Sequence, residues 1–238
     1  MKKILLVYLL FCSCFAARAQ FRLGIKAGSG AAYHSKYTPP SDNTTMAHRN
    51  YCQGAVYSFY AGITGDWQIS EHFSVQPSLL YSTKGGKNGE TIYSTGGSYY
   101  YSRNYSGEDR LNYLELPVTL LFKQKLGRGK VFAGAGIYDA MYLNGQKEGD
   151  FLIRESPVVK NPEQVAADWP PVFGGRQGPI YPGKQADARL GDTGANFTAG
   201  YELPFGVQLA LNYSLGFSET YYGKNRVYSL SVSYLLHK

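Results

Sequence analysis

The stretch Val207-Gln-Leu-Ala-Leu-Asn-Tyr-Ser-Leu-Gly-Phe-Ser218 changes polarity at nearly every step. Val207, Leu209, Leu211, Tyr213, Leu215 and Phe217 share one parity, and Gln208, Ala210, Asn212, Ser214, Gly216 and Ser218 share the other. Successive side chains of an extended chain point to opposite faces, so this is a strand with one apolar and one polar side. Its length exceeds the ~9–11 residues with which a tilted strand crosses a bilayer.

The same period recurs on both sides of that stretch. Tyr57, Phe59, Ala61, Ile63, Trp67 and Ile69 oppose Ser58, Tyr60, Gly62, Thr64, Asp66 and Gln68. Phe73, Val75, Pro77, Leu79 and Tyr81 form the next apolar set, and Leu114, Leu116, Val118, Leu120 and Phe122 another. Phe197, Ala199, Tyr201 and Leu203 precede the quoted strand. Phe21, Leu23, Ile25 and Ala27 open the series, and Tyr228, Leu230, Val232, Tyr234 and Leu236 close it. Residues 130–143 make the eighth segment, where Val131, Ala133, Ala135 and Ile137 compete with Phe132, Gly134, Gly136 and Tyr138 for the apolar side, leaving the register of this fifth strand open.

Connector lengths alternate as well. Long loops are expected near 34–54, 85–110 and 144–191, and short turns at Ser70-Glu-His72, Gln124 to Lys130 and Pro204-Phe-Gly206. Long outer loops alternating with short inner turns are the pattern of an up-and-down transmembrane barrel. A soluble barrel alternates too, but it covers its outer face with Lys and Glu. Here the polar parity is mostly Ser, Gly, Thr, Asn and Gln, which suits a narrow hydrated interior. Arg22, Lys26, Asp66, Lys84, Glu115, Lys123 and Glu202 interrupt it and are candidate lumen charges, expected to pair because an unpaired charge there is costly. Trp67 and Phe73 near an inner turn, with Tyr57 and Tyr81 toward the outer ends, read as interfacial girdles. The fold expected is all-β, an eight-stranded antiparallel up-and-down transmembrane barrel spanning residues 20–238. Lipid of the outer membrane is then a partner by construction.

Residues 1–19 are set apart from the fold. Lys2 and Lys3, the apolar run Ile4 to Phe11 and the close Ala17-Arg-Ala19 form a secretory signal, with cleavage expected near Ala19. Cys12 and Cys14 leave with it, so Cys52 has no internal disulfide partner. Loss of Lys2, Lys3 and Arg18 leaves 21 basic residues against 17 acidic ones. A mild positive balance on an exported chain excludes nucleic acid as a partner.

Three segments carry a family likeness: Phe73-Ser-Val-Gln-Pro-Ser-Leu-Leu-Tyr81, Tyr113-Leu-Glu-Leu-Pro-Val118, and Phe132-Ala-Gly-Ala-Gly-Ile-Tyr138. In these and in their spacing the chain resembles the PorT-like outer-membrane β-barrel family of Gram-negative bacteria. The resemblance implies a small, mostly eight-stranded barrel inserted by the outer-membrane assembly machinery. That machinery reads a terminal aromatic residue, and here the end, Tyr234-Leu-Leu-His-Lys238, offsets it. One named member serves a protein-secretion system, a role that does not extend to every relative.

Chemistry-bearing motifs are sparse. His34, Ser35 and His48 sit in or beside the first expected loop without a defined constellation. The four histidines, at 34, 48, 72 and 237, have no metal-ligand spacing. Gly127-Arg-Gly-Lys130 lacks the full phosphate-loop pattern. No catalytic residue, cofactor or metal is expected. Tyr99, Tyr100 and Tyr101 in the second expected loop and Trp169 in the third are the candidates for contacting an envelope or surface protein, because Tyr among Ser and Gly makes adaptable contacts. The function expected is surface interaction or support of envelope assembly or secretion. The alternatives are a small-solute pore, a lipid-modifying outer-membrane enzyme and a soluble periplasmic ligand-binding barrel.

Overall fold

The computed structural model describes residues 20–35, 46–94, 99–157, 172–179, 191–220 and 223–236. Its elements are β1 (Gln20–His34), β2 (Met46–Gly54), β3 (Val56–Gln68), β4 (Phe73–Ser94), β5 (Tyr99–Leu126), β6 (Gly129–Pro157), β7 (Val172–Pro179), β8 (Gly191–Glu202), β9 (Val207–Thr220) and β10 (Gly223–Leu235).

Eight of these close into a ring of antiparallel pairs. From β1 the order runs β3, β4, β5, β6, β8, β9 and β10, and β10 pairs back onto β1 from Gly24↔Leu235 to His34↔Asn225. The expected strand number is therefore the number in the wall. The stagger of the wall can be read from the registers. A line of backbone partners starting at Ala31 passes Tyr228, Tyr213, Phe197, Ala135, Leu120, Val75 and Trp67 and returns to β1 at Phe21, ten residues from where it began. With a rise of about 3.3 Å per residue and a strand spacing of about 4.8 Å, that stagger over eight strands tilts them about 41° and sets a Cα radius of about 8 Å. Side chains fill a bore of that width.

The alternation seen in the sequence separates the two faces. Ile25, Ile63, Leu120, Ile137, Leu211 and Leu230 are at least half exposed on the outside, while Thr64, Ser74 and Gln208 are at most 2% exposed inside. Such an arrangement is inverted relative to a water-soluble barrel. In β6 the open register resolves with Ala133, Ala135 and Ile137 outward and Phe132, Tyr138 and Ala140 inward. Aromatic rings collect at both rims. Phe73 and Phe122 meet edge-on at 5.4 Å near the inner turns, and Phe59 and Tyr81 lie 6.0 Å apart toward the outer end.

The expected outer loops are largely strand. Residues 85–94 and 99–110, expected as loop, extend β4 and β5, and β6 continues to Pro157, so that β5 and β6 reach 28 and 29 residues. β2 lies within the expected 34–54 loop and pairs β4, while β7 lies within the expected 144–191 loop and pairs β6. Together they form a raised antiparallel sheet of order β2-β4-β5-β6-β7 at the end of the barrel opposite the short turns. A shift of register at Asn112/Tyr113 marks where wall becomes raised sheet. An extra residue in one strand bends it and increases its twist, and this lets the pairing leave the cylinder.

Candidate functional site: the sealed lumen and the raised sheet

Each inward parity position delivers its side chain to a fixed height in the bore, and the charges fall into two groups. Near the inner turns, the Arg22 guanidinium donates to Asp66 and, at 2.7 Å, to Glu202. Lys123 Nζ reaches Asp66 at 2.8 Å and Glu202 at 3.0 Å. Gln208 donates through Nε2 to Glu202 and accepts at Oε1 from Gln76 Nε2, each at 3.0 Å, extending the network across the bore. Two cations and two carboxylates thus alternate, each touching both opposites. Buried ions are tolerated when paired and hydrogen-bonded in this way.

The second group lies toward the outer end. Lys84 Nζ contacts Glu115 at 2.8 Å and Asp192 at 3.1 Å and stands 3.9 Å from the centre of the Tyr138 ring. The Tyr138 hydroxyl donates to Asp192 at 3.0 Å, Asn225 Nδ2 donates to the same oxygen at 3.1 Å, and Ser82 donates to Glu115. Space for Tyr138 comes from a missing side chain: a Cβ on Gly194 would sit 2.6 Å from its ring. Lys26 lines a cavity of about 40 Å³ together with Lys84, Glu115, Ser58 and Asn212. That volume holds roughly one or two waters. Above it Leu111, Tyr113, Tyr138, Ala140 and Tyr142 pack into an apolar seal. Arg22, Lys26, Lys84 and Lys123 balance Asp66, Glu115, Asp192 and Glu202, so these eight lumen charges sum to zero.

Parity placed six of the expected lumen charges, with Lys84, on the inner face, but it does not say which pairs with which. Asp192 is not among the expected lumen charges, because it borders the expected third loop. The signal is present: Asp192 and Gly194 continue the inward parity of Asn196, Thr198, Gly200 and Glu202. Tyr138 and Asn225 likewise carry the right parity without any mark of their role.

In the raised sheet, Tyr99, Tyr100 and Tyr101 open β5 and pair with Pro157, Ser156 and Glu155. Trp169 lies outside the described residues. Tyr105, within the second expected loop, is 3% exposed. Its phenol lies over Gly107 and Gly149, where a Cβ would collide with it, and Lys147 Nζ stands 5.0 Å from its ring centre. Asn88 on β4 donates to Asp109 on β5 at 2.9 Å, and Ser106 donates to Gln53 at 2.8 Å, the latter tying β5 to β2 beyond the backbone ladder. His34 ends β1 and Ser35 follows it; Ser35 exchanges bonds with Lys224, its N–H donating to the Lys224 carbonyl and its Oγ accepting from the Lys224 N–H. His48 belongs to β2.

No protein-family model matches the chain, and no curated protein does. Among solved structures the chain is similar to Ail, the attachment invasion locus protein of Yersinia pestis, at 10% identity over 91% of this chain and 99% of that one, with a TM-score of 0.37. The translocator domain of autotransporter NalP from Neisseria meningitidis is similar at 10% identity, 90% and 88% coverage and a TM-score of 0.26. OccK1 (OpdK) of Pseudomonas aeruginosa follows at 11% identity, 92% and 99% coverage and 0.19. At these scores the architecture rests on the strand registers themselves.

Proposed function

We propose that this chain is an outer-membrane barrel that acts by holding its raised sheet above the membrane for a partner in the envelope or at the cell surface. The observation that carries this reading is the continuation of β4, β5 and β6 far past the wall into a sheet with strands added on both sides. Strand length beyond what a bilayer requires has to serve something outside it. Among the described residues β2 and β7 each pair on one side only, so the sheet presents two edges of backbone donors and acceptors. The apolar belt and the two aromatic rims support the membrane placement. The signal-like start, with the assembly machinery acting on insertion, belongs to the same reading, as does the PorT-like likeness, whose three segments lie on the neighbouring strands β4, β5 and β6. The role is binding without turnover, with a sealed lumen as the rigid base.

The test uses cells carrying either the full chain or a variant in which residues 88–107 and 147–178 are replaced by short turns. Both are treated with an impermeant amine cross-linker, and adducts are resolved by mass spectrometry. Adducts to an envelope or surface protein that vanish in the trimmed, heat-modifiable barrel support the reading. An unchanged adduct profile overturns it.

A further inference from the structure

The lipid-facing wall is not evenly covered. Most of its outward positions are Leu, Ile, Phe or Tyr, but across β1, β10, β9 and β8 two outward rows leave a trough of about 640 Å³ between them. The upper row is Ala31, Tyr228, Tyr213 and Phe197, and the lower row is Ser29, Leu230, Leu211 and Ala199, each a line of direct backbone partners. Along the bottom run the backbones of Gly30, Ser229, Asn212 and Thr198, whose parity turns their side chains, where present, into the lumen. The ridges are tall over β10 and β9, where Tyr213 and Tyr228 stack at 4.6 Å. They collapse to small residues on β1, opening one end of the trough.

That open end faces outward. With the tilt given above, each strand crossed from β1 to β8 descends about 3 Å along the barrel axis, so Ser29 and Ala31 form the upper mouth. Directly above is the register pair Tyr33 and Arg226, two residues and about 5 Å farther out. Tyr33 stacks on Tyr228 at 6.0 Å. Arg226 is held in place because its Nη1 donates to the carbonyls of Gly216 and Asn225, at 2.8 and 3.0 Å. Among the described residues its Nε and Nη2 have no acceptor. A fixed guanidinium presents a fork that matches phosphate oxygens, and a Tyr-lined rim marks headgroup level.

We infer that this trough is a lipid-binding site that seats one phosphorylated, multiply acylated lipid of the outer leaflet, an acyl chain in the trough and a phosphate on Arg226. Charge and apolarity are complementary to such a molecule at the right separation: a cation at headgroup height, and apolar walls immediately below it. The site rests on the membrane placement proposed above.

The experiment reconstitutes the full chain in nanodiscs of zwitterionic lipid and adds diphosphoryl lipid A, or the same lipid stripped of phosphate, with retention counted by native mass spectrometry. One diphosphoryl molecule retained per barrel, retention about tenfold weaker for Arg226→Gln, and an equal loss when the mouth is closed by Ser29→Phe with Ala31→Phe are expected, since loss of a charge-assisted pair corresponds to about one decade in affinity. Equal retention by all three proteins, or of both lipids by the parent chain, would show only annular lipid and overturn the site. A mouth-closed variant that stops self-associating without any change in lipid count would make the trough a contact between copies and also overturn it. Heat-modifiable migration is recorded for every sample. A barrel that shifts on heating but retains no lipid A defeats this site alone, whereas a chain that never enters membranes defeats the membrane placement.

Discussion

Replacing Lys84 by Met removes the one cation that touches both Glu115 and Asp192, at 2.8 and 3.1 Å, while leaving both carboxylates in place. At an effective dielectric of 20 each contact is a gross attraction of about 5–6 kcal/mol, and desolvation of the three ions offsets much of this. What decides the outcome is the asymmetry of the deletion. Lys84 and Asp192 are 2% and 1% exposed, so the variant keeps two like charges facing each other where water cannot screen them. Removing one partner from a buried group of this kind costs about 3–5 kcal/mol, and the contact of Lys84 with the Tyr138 ring disappears as well. The assay is a urea titration of the barrel in lipid vesicles, followed by Trp67 fluorescence and by the heat-modifiable gel shift. Lys84→Met should lower the unfolding free energy by about 3–5 kcal/mol. The triple change Lys84→Met, Glu115→Gln, Asp192→Asn should regain most of that, because neutral amides can still accept from Ser82 and Tyr138. A loss below about 1 kcal/mol, the range of exposed pairs, would refute the reasoning. A triple variant as unstable as the single one would show that shape, not charge, governs this layer.

Four further outcomes follow from the same geometry. In the inner network Lys123→Gln should cost about 3 kcal/mol, and Arg22→Gln about 1–2 kcal/mol, since the Arg22 side chain is 18% exposed against 5% for Lys123; equal losses in the urea titration would contradict this. Leu120→Arg, at the middle of the apolar belt, should destabilise by about 2–4 kcal/mol, whereas Leu126→Arg, beside an inner turn, should cost about 0–1 kcal/mol, both read as folding yield into vesicles. Planar-bilayer recordings should show no steady conductance, because the two ion-pair networks and the packed cluster of Leu111, Tyr113, Tyr138, Ala140 and Tyr142 cross the bore, and stable single-channel steps would break that expectation. Gly149→Val should displace Tyr105, which covers it, and raise protease cleavage of the raised sheet several-fold while the barrel's heat shift is unchanged.

The wall was legible from the sequence because its code is local. A strand between lipid and a hydrated bore must alternate, and each alternating segment declares its type, its outward face and its inward charges without reference to its neighbours. Parity carries no information about partners across the bore. That Lys84 meets Asp192, 108 positions away, follows from strand order and the ten-residue stagger, which only closure of the ring establishes. The raised sheet was illegible for a related reason. Segments such as Lys87-Asn-Gly-Glu-Thr91 and Arg103-Asn-Tyr-Ser-Gly107 leave the membrane and have no lipid face, so they read as loop. They are strand because β4, β5 and β6 are already paired below and carry their backbone ladders upward, each residue offering its N–H and C=O to a neighbour already in position. Outside β6, sequence alone determined which residues face lipid and which face the lumen; tertiary pairing decided the faces of β6, which charges neutralise each other and how far the sheet extends, because these depend on contacts between residues far apart in the chain.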